Sequence, residues 1–125
     1  MRQKKMCIEV EGEELQLGFN WNVIDMIQDQ EHMTVEDILM VMQGEDARKA
    51  REIAFMVLCY MTNDAIEEYN ERNKKKLREV TIKQVKRMYG WGNVHQMQLE
   101  VIDVMADSLP MNDENEDDDL GLDTP

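Results

Sequence analysis

Residues 8–30 read IEVEGEELQLGFNWNVIDMIQDQ, and the spacing of the apolar residues changes within this stretch. In its first half, apolar residues recur at every second position, as they do on one face of a β-strand: Ile8, Val10, Leu15, Leu17 and Phe19. The polar residues 11–14 interrupt this alternation. The pattern therefore predicts a β-hairpin with its turn at 11–14.

The second half of the stretch has helical spacing. Trp21, Ile24 and Ile27 recur three residues apart and predict an inward-facing stripe, and Asn20 is placed to cap the helix. A two-stranded hairpin alone is marginally stable in water. We therefore expect the hairpin to pack against this helix and later ones.

Two more helices are predicted in the middle of the chain. Thr34, followed three residues later by Asp37, resembles a capping box and opens a short helix that Gly44 ends. The next segment is apolar nearly all round between residues 53 and 61, which predicts the central helix of the fold. This helix either continues through Tyr69 or breaks near residue 63.

The last part of the domain is also predicted to be helical. Thr81 and Gln84 have the spacing of a second capping box, and the GWG sequence at 90–92 predicts a turn. Asn93 is expected to cap a final helix that Pro110 ends. The predicted fold class is α+β, mostly α, with an N-terminal β-hairpin packed on a bundle of about five helices.

Charge divides the chain into two parts. The sequence has 27 acidic and 14 basic residues, for a formal net charge of −13. Residues 111–125 contain seven acids, no bases and few apolar residues, so they are expected to form a disordered acidic C-terminal tail. The remaining 20 acids and 14 bases give residues 1–110, the predicted single domain, a charge of −6.

This acidity argues against binding to nucleic acid or to an anionic membrane. No apolar run approaches the length of a membrane span, and the opening MRQKKM lacks the apolar segment of a signal peptide. The cytoplasm is the expected compartment.

One basic run stands out between residues 72 and 87, where eight basic residues accompany a single acid, Glu79. It predicts a charged loop followed by a short helix. The loop is either simply solvated, as exposed charge runs usually are, or makes an electrostatic contact with an acidic partner or the protein's own acidic tail.

The two cysteines, Cys7 and Cys59, are too few for a disulfide framework and are expected to be reduced and buried. His32 and His95 stand apart in the sequence, so a zinc site is not expected. They are predicted to be surface or capping residues.

One pattern offers an enzymatic alternative. Five acids follow the form EExxE…ExxD of the MazG-like nucleotide pyrophosphohydrolases, whose carboxylates hold magnesium: Glu67, Glu68, Glu71, Glu100 and Asp103. Acids at this spacing are also typical of any solvated helix face. A third alternative is an acidic DNA mimic that inhibits a nucleic-acid-binding protein.

The sequence also contains 12 methionines among 125 residues. Methionine fills irregular cores and also forms adaptable surfaces that bind apolar helices. Most of these residues are expected in the core, with a minority on a binding surface.

The order of these elements resembles the tail assembly chaperones of long-tailed bacteriophages and prophages. The resemblance covers most of residues 6–110 and rests on four stretches: IEVEGEELQLGFNWNVIDMIQDQ, TVEDILMVM, DARKAREIAFMVLCYMTNDAIEEYNERN and LREVTIKQVKRMYGWGNVHQMQLEVIDVMADSLP. It implies a protein without enzymatic activity, catalytic residues, metal or cofactor. Such a protein acts in the host bacterial cytoplasm and is absent from the mature virion.

The implied partners are the tape measure protein, which these chaperones coat and keep soluble, and the tail tube protein. In many phages the tube protein is contacted through a longer, frameshifted product; self-association stays open. We predict a groove for an amphipathic client helix and choose large aromatic and adaptable residues as its lining: Trp21, Met40, Met56 and Met97.

Overall fold

The computed structural model describes residues 6–108. An antiparallel two-stranded hairpin is followed by five helices, as the sequence predicted. The elements are β1 (Met6–Val10), β2 (Glu13–Leu17), α1 (Trp21–Glu31), α2 (Val35–Met42), α3 (Ala47–Asn73), α4 (Ile82–Arg87) and α5 (Val94–Ser108). The acidic tail and the predicted helix end at Pro110 lie outside the described residues. Within 6–108, none of the helices has the length and apolar character needed to cross a membrane.

The hairpin turn is tighter than predicted. Val10 pairs with Glu13, so only Glu11 and Gly12 form the loop. Both have positive φ, 50° and 84°, which is the backbone of a type I′ turn. Glycine adopts this conformation without the steric cost that a Cβ imposes, and the twist of the turn matches that of the strands.

The strands bury alternate side chains against the helices. The inward set is Met6, Ile8, Val10, Leu15 and Leu17, and Phe19 is buried after the second strand. Cys7 lies between two of these residues and therefore points to the exposed face. The prediction that both cysteines are buried was wrong for Cys7 and is confirmed for Cys59.

Asn20 caps α1 as predicted, because its side chain accepts a hydrogen bond from the backbone N–H of Val23 at 3.0 Å. The inward stripe differs from the prediction. Val23 and Ile27 are fully buried, whereas Trp21 is 71% exposed. Trp21 lies two positions before Val23, about 200° away around the helix, so it projects from the side opposite the buried stripe.

The second helix has both predicted end signals. The Thr34 side chain accepts from the N–H of Asp37, and the Asp37 carboxylate accepts from the N–H of Thr34, both at 3.1 Å. These two bonds satisfy amides that a helix start leaves unpaired. The helix ends at Met42, just before Gly44.

The third helix is the centre of the fold. It begins after the cap Asp46 and continues without a break to Asn73, for 27 residues. Residues 54–59 are buried on every side because the hairpin and the other four helices all pack on α3. Thr62, also fully buried, satisfies its hydroxyl by donating to the Leu58 carbonyl at 2.7 Å.

After α3, the chain runs through a linker to α4, whose predicted capping box is confirmed. Thr81 and Gln84 exchange the two bonds at 3.2 and 2.9 Å. Asn93 does not cap α5 with its side chain as predicted. Its side-chain oxygen instead accepts a hydrogen bond from the backbone N–H of Gly90, in the preceding turn, at 2.8 Å. Asn93 therefore closes the turn before the helix. The buried face of α5 contains Met97, Val101, Val104 and Met105.

Candidate partner-binding surfaces

The structure separates the four predicted groove residues into two pairs. Trp21 and Met40 are each 71% exposed, on α1 and α2. Met56 and Met97 are 5% and 1% exposed and belong to the core. Met56 lies in the part of α3 that is buried on every side, and Met97 lies on the inward face of α5. The predicted groove is therefore corrected: of its four residues, Trp21 and Met40 are exposed to a partner, whereas Met56 and Met97 are not.

Met40 is exposed because of its angular position on α2. Ile38 and Met42, four residues apart, form the buried face of this helix. A residue two positions from each lies about 200° away around the helix, on the opposite side. An exposed methionine there has no packing role in the described residues, which makes it available for an apolar contact.

Four further large apolar residues are exposed and were not predicted as binding residues. They lie on α4, in the following turn and on α5: Ile82, Met88, Trp91 and Leu99. Trp91 is the most exposed, at 91%. Its position between two glycines predicted the turn, and residues in turns are commonly exposed.

An acidic groove of about 510 Å³ lies between α1 and α3. Its carboxylates come from both helices: Asp25, Asp29, Asp64, Glu67, Glu68 and Glu71. Asn20 joins the helices there by donating from Nδ2 to the Asp64 carboxylate at 2.9 Å. Groups of one charge in a concave surface attract the opposite charge, so this groove favours basic partners.

The five carboxylates of the pyrophosphohydrolase pattern do not form a metal site. Glu67, Glu68 and Glu71 lie on α3, where Glu68 pairs with Arg72 at 2.7 Å. Glu100 on α5 accepts from Gln96 at 3.4 Å. Among residues 6–108, no three Asp, Glu, His or Cys side chains come together as metal ligands. The geometry gives this alternative no support.

A second groove, of about 550 Å³, lies between β2 and the end of α3. Glu14, Asp64 and Glu68 line it together with Arg72 and Asn73. Ser108, the last described residue of α5, also lines this groove. The end of α5 therefore adjoins the same groove as the last turns of α3, which precede the lysines at 74–76.

The basic run is only partly paired. Arg72 contacts Glu68, Arg78 contacts Glu11 at 3.9 Å, and Lys86 contacts Glu52 at 2.7 Å. The three consecutive lysines at 74–76 are exposed and make no ion pair within the described part of the chain. They form a compact positive surface at the end of α3.

Two asparagines hold the linker that carries these lysines. Asn63 and Asn70 lie seven residues apart on α3, and each exchanges two hydrogen bonds with the linker backbone, at Val80 and Leu77. A side-chain amide offers a donor and an acceptor, as a peptide group does. The local sequence does not mark these pairs, because asparagine is also common at exposed positions and the bonded residues lie 17 and 7 positions away.

Burial raises the pKa of two groups on α3, Cys59 and Tyr60. Burial, and then the charge of Glu79, raise the pKa of the Cys59 thiol to about 11. Burial also raises the pKa of Tyr60 to about 12, together with a hydrogen bond to the Glu31 carboxylate at 2.9 Å. Both groups stay protonated at neutral pH. Neither is activated as a nucleophile, because the thiolate is the reactive form of cysteine.

The two histidines have the predicted surface and capping positions. His32 is exposed and ends α1 in the left-handed conformation, with its N–H bonded to the Gln28 carbonyl. His95 is exposed on α5.

Comparison of the chain with family models, with curated proteins and with solved structures found no match.

Proposed function

We propose that this protein is a bacteriophage tail assembly chaperone, which binds and solubilises the tape measure protein and helps recruit tail tube subunits. The observation that carries the proposal is the combination of the hairpin and five-helix order with two exposed large apolar side chains, Trp21 on α1 and Met40 on α2. The resemblance of the sequence supplies the client. The proposed site of action is the host bacterial cytoplasm, with no place in the mature virion.

The apolar contact has a simple energetic role. A long helical client exposes apolar stripes that associate with one another, and each stripe covered by a chaperone is removed from that equilibrium. Large aromatic and methionine side chains contribute most to such contacts, because they bury much area and adapt in shape. Trp21 and Met40 are available for this role without unfolding of the core.

The charge of the protein complements this contact. At −13, chaperones bound along one client repel one another and other coated clients, which opposes aggregation. The acidic groove beside α1 favours client segments with lysine or arginine next to the apolar stripe. Recruitment of the tube protein is proposed to use a longer, frameshifted product.

Tryptophan fluorescence tests the apolar contact directly. Both tryptophans are exposed, so each is expected to emit as in water, and the Trp91→Phe variant leaves Trp21 as the reporter. Titration with an amphipathic helical segment of a tape measure protein should shift its emission to the blue. The Trp21→Phe variant reports Trp91 and should shift less. Saturating binding without any shift in Trp91→Phe would remove Trp21 from the contact.

A further inference from the structure

The end of α5 and the lysines at 74–76 lie at the same end of the molecule. Ser108 lines the groove that Arg72 and Asn73 also line, and Asn73 is the last residue of α3 before the lysines. Ser108 and the last turn of α3 therefore line one groove, and the three lysines, which make no ion pair in the described chain, directly follow that turn. This placement follows from the packing of α5 against α3.

The charges of the two segments are complementary. Seven acids and no bases follow Pro110, and Lys74, Lys75 and Lys76 have no carboxylate partner among residues 6–108. The groove beside Ser108 contains Glu14, Asp64 and Glu68, which repel further acids. In the tail segment the acids begin only at position 113, and the lysines are the complementary group at this end of the described chain.

The reach of the chain is sufficient. Asp113 and Asp119 follow Ser108 by five and eleven residues, and an extended chain advances about 3.5 Å per residue. Their maximum reach is thus about 17 and 38 Å. A short tether also maintains a local concentration in the millimolar range, which allows weak ion pairs to form within one chain.

We propose that residues 113–119 fold back onto Lys74, Lys75 and Lys76 of the same chain and cover this basic surface. The contact is a set of exposed ion pairs, each weak, so it forms collectively and is weakened by salt. It hides the surface from other polyanions until an acidic partner competes for it. This inference does not depend on the chaperone function.

Paramagnetic relaxation in the full chain tests the contact. A nitroxide label attached at position 120 of a Cys7→Ser, Leu120→Cys protein reports proximity by broadening nearby amide signals, and mass spectrometry verifies that a single label is present. We expect broadening of the amides at 74–78. It should decrease at least about twofold when salt rises from 0.1 M to 1 M, because the screening length falls from about 10 to 3 Å.

Two triple variants separate a specific contact from a general charge effect. Lys74→Glu, Lys75→Glu and Lys76→Glu should abolish the broadening. The control variant combines Lys49→Glu, Lys83→Glu and Arg87→Glu, which change the net charge by the same amount at other exposed positions. It should retain most of the broadening. Equal loss in both variants, or broadening that salt does not change, would overturn the proposal.

Mixing distinguishes one chain from two. When isotope-labelled protein without nitroxide is mixed with nitroxide-labelled protein at natural isotope abundance, an intramolecular contact gives no broadening. Broadening in the mixture equal to that in the single chain would show that the segment binds a second copy, and would contradict the fold-back contact.

Discussion

Asn63 on α3 pairs with the backbone of Val80 through two hydrogen bonds: its Nδ2 donates to the Val80 carbonyl at 3.0 Å, and its Oδ1 accepts from the Val80 N–H at 2.8 Å. Asn70 repeats this pairing with Leu77, at 3.0 and 2.9 Å. The linker after α3 thus runs back along the helix it has just left. Its conformation is fixed by side chains, and this positions the lysines at one end and α4 at the other.

Changing Asn63 to aspartate should weaken this attachment. The aspartate side chain is nearly the same size and can still accept from the Val80 N–H, but it lacks the donor and places a negative charge against the Val80 carbonyl. We expect Asn63→Asp to lower the free energy of unfolding by about 2 kcal/mol. Urea denaturation measures this, with the exposed Asn22→Asp as a control expected to change stability by less than about 0.5 kcal/mol. Equal effects of the two substitutions would show that the pairing contributes little.

The two classes of methionine should differ sharply in their contribution to stability. Met97 is 1% exposed, so Met97→Ala leaves a cavity and should cost about 2–5 kcal/mol. Met40 is 71% exposed, and Met40→Ala should cost less than about 0.5 kcal/mol. Thermal and urea unfolding of both variants test the assignment. A large loss of stability in Met40→Ala would mean that this side chain belongs to the core.

The two thiols should react at very different rates. Cys7 is exposed on β1, and its pKa is raised only by slight desolvation and by Glu14, whereas burial raises the pKa of Cys59 to about 11. Near pH 8 a thiol reagent should modify Cys7 quickly and Cys59 only as the protein opens. The Cys7→Ser variant should lose the fast phase. Two equally fast phases in the unmodified protein would contradict the burial of Cys59.

Stability should decline in alkaline solution. The folded state retains the Cys59 proton up to a pKa of about 11, while the unfolded thiol loses it near 9.0. The unfolded state therefore binds fewer protons between these values, so the stabilisation is complete below about pH 9 and is lost as pH rises toward 11. Because Cys59 is not completely desolvated, we expect a loss of about 1–2 kcal/mol.

The Cys59 thiol donates to the Val80 carbonyl at 3.5 Å. Cys59→Ser provides the control for this pH dependence, because serine keeps a hydroxyl donor at this position and does not titrate in this range. Its free energy of unfolding should depend less on pH between 9 and 11. Tyr60, with its pKa raised to about 12, adds a further loss only above pH 10 in both proteins. A slope unchanged by the substitution would assign the alkaline transition to groups other than Cys59.

Local signals were sufficient to predict most of the fold. Asn20, Thr34 and Thr81 each start a helix through bonds to neighbouring backbone groups, so their roles could be inferred from spacing alone. The length of the hairpin loop, in which Glu11 and Gly12 have positive φ, was harder to predict, because the polar residues 11–14 allow more than one turn length. The register, set by inward-facing residues on both strands, decides between them.

The candidate binding surface was less predictable, because exposure depends on packing between distant elements. The same side chain is exposed at Met40 on α2 and buried at Met56 on α3 and Met97 on α5. The asparagine pairs were missed for the same reason. A hydrogen bond from Asn63 to a residue 17 positions later has no local signature.

The most direct test of the proposed chaperone function is coexpression with a tape measure protein, with the soluble fraction of that client as the measurement. We expect the client to become soluble and to copurify with the protein, and we expect Trp21→Asp with Met40→Asp to abolish this effect. Gln28→Asp with Gln43→Asp adds the same charge at exposed polar positions and should retain it. A client that stays insoluble beside well-folded chaperone, or one that is solubilised equally by both double variants, would contradict the account.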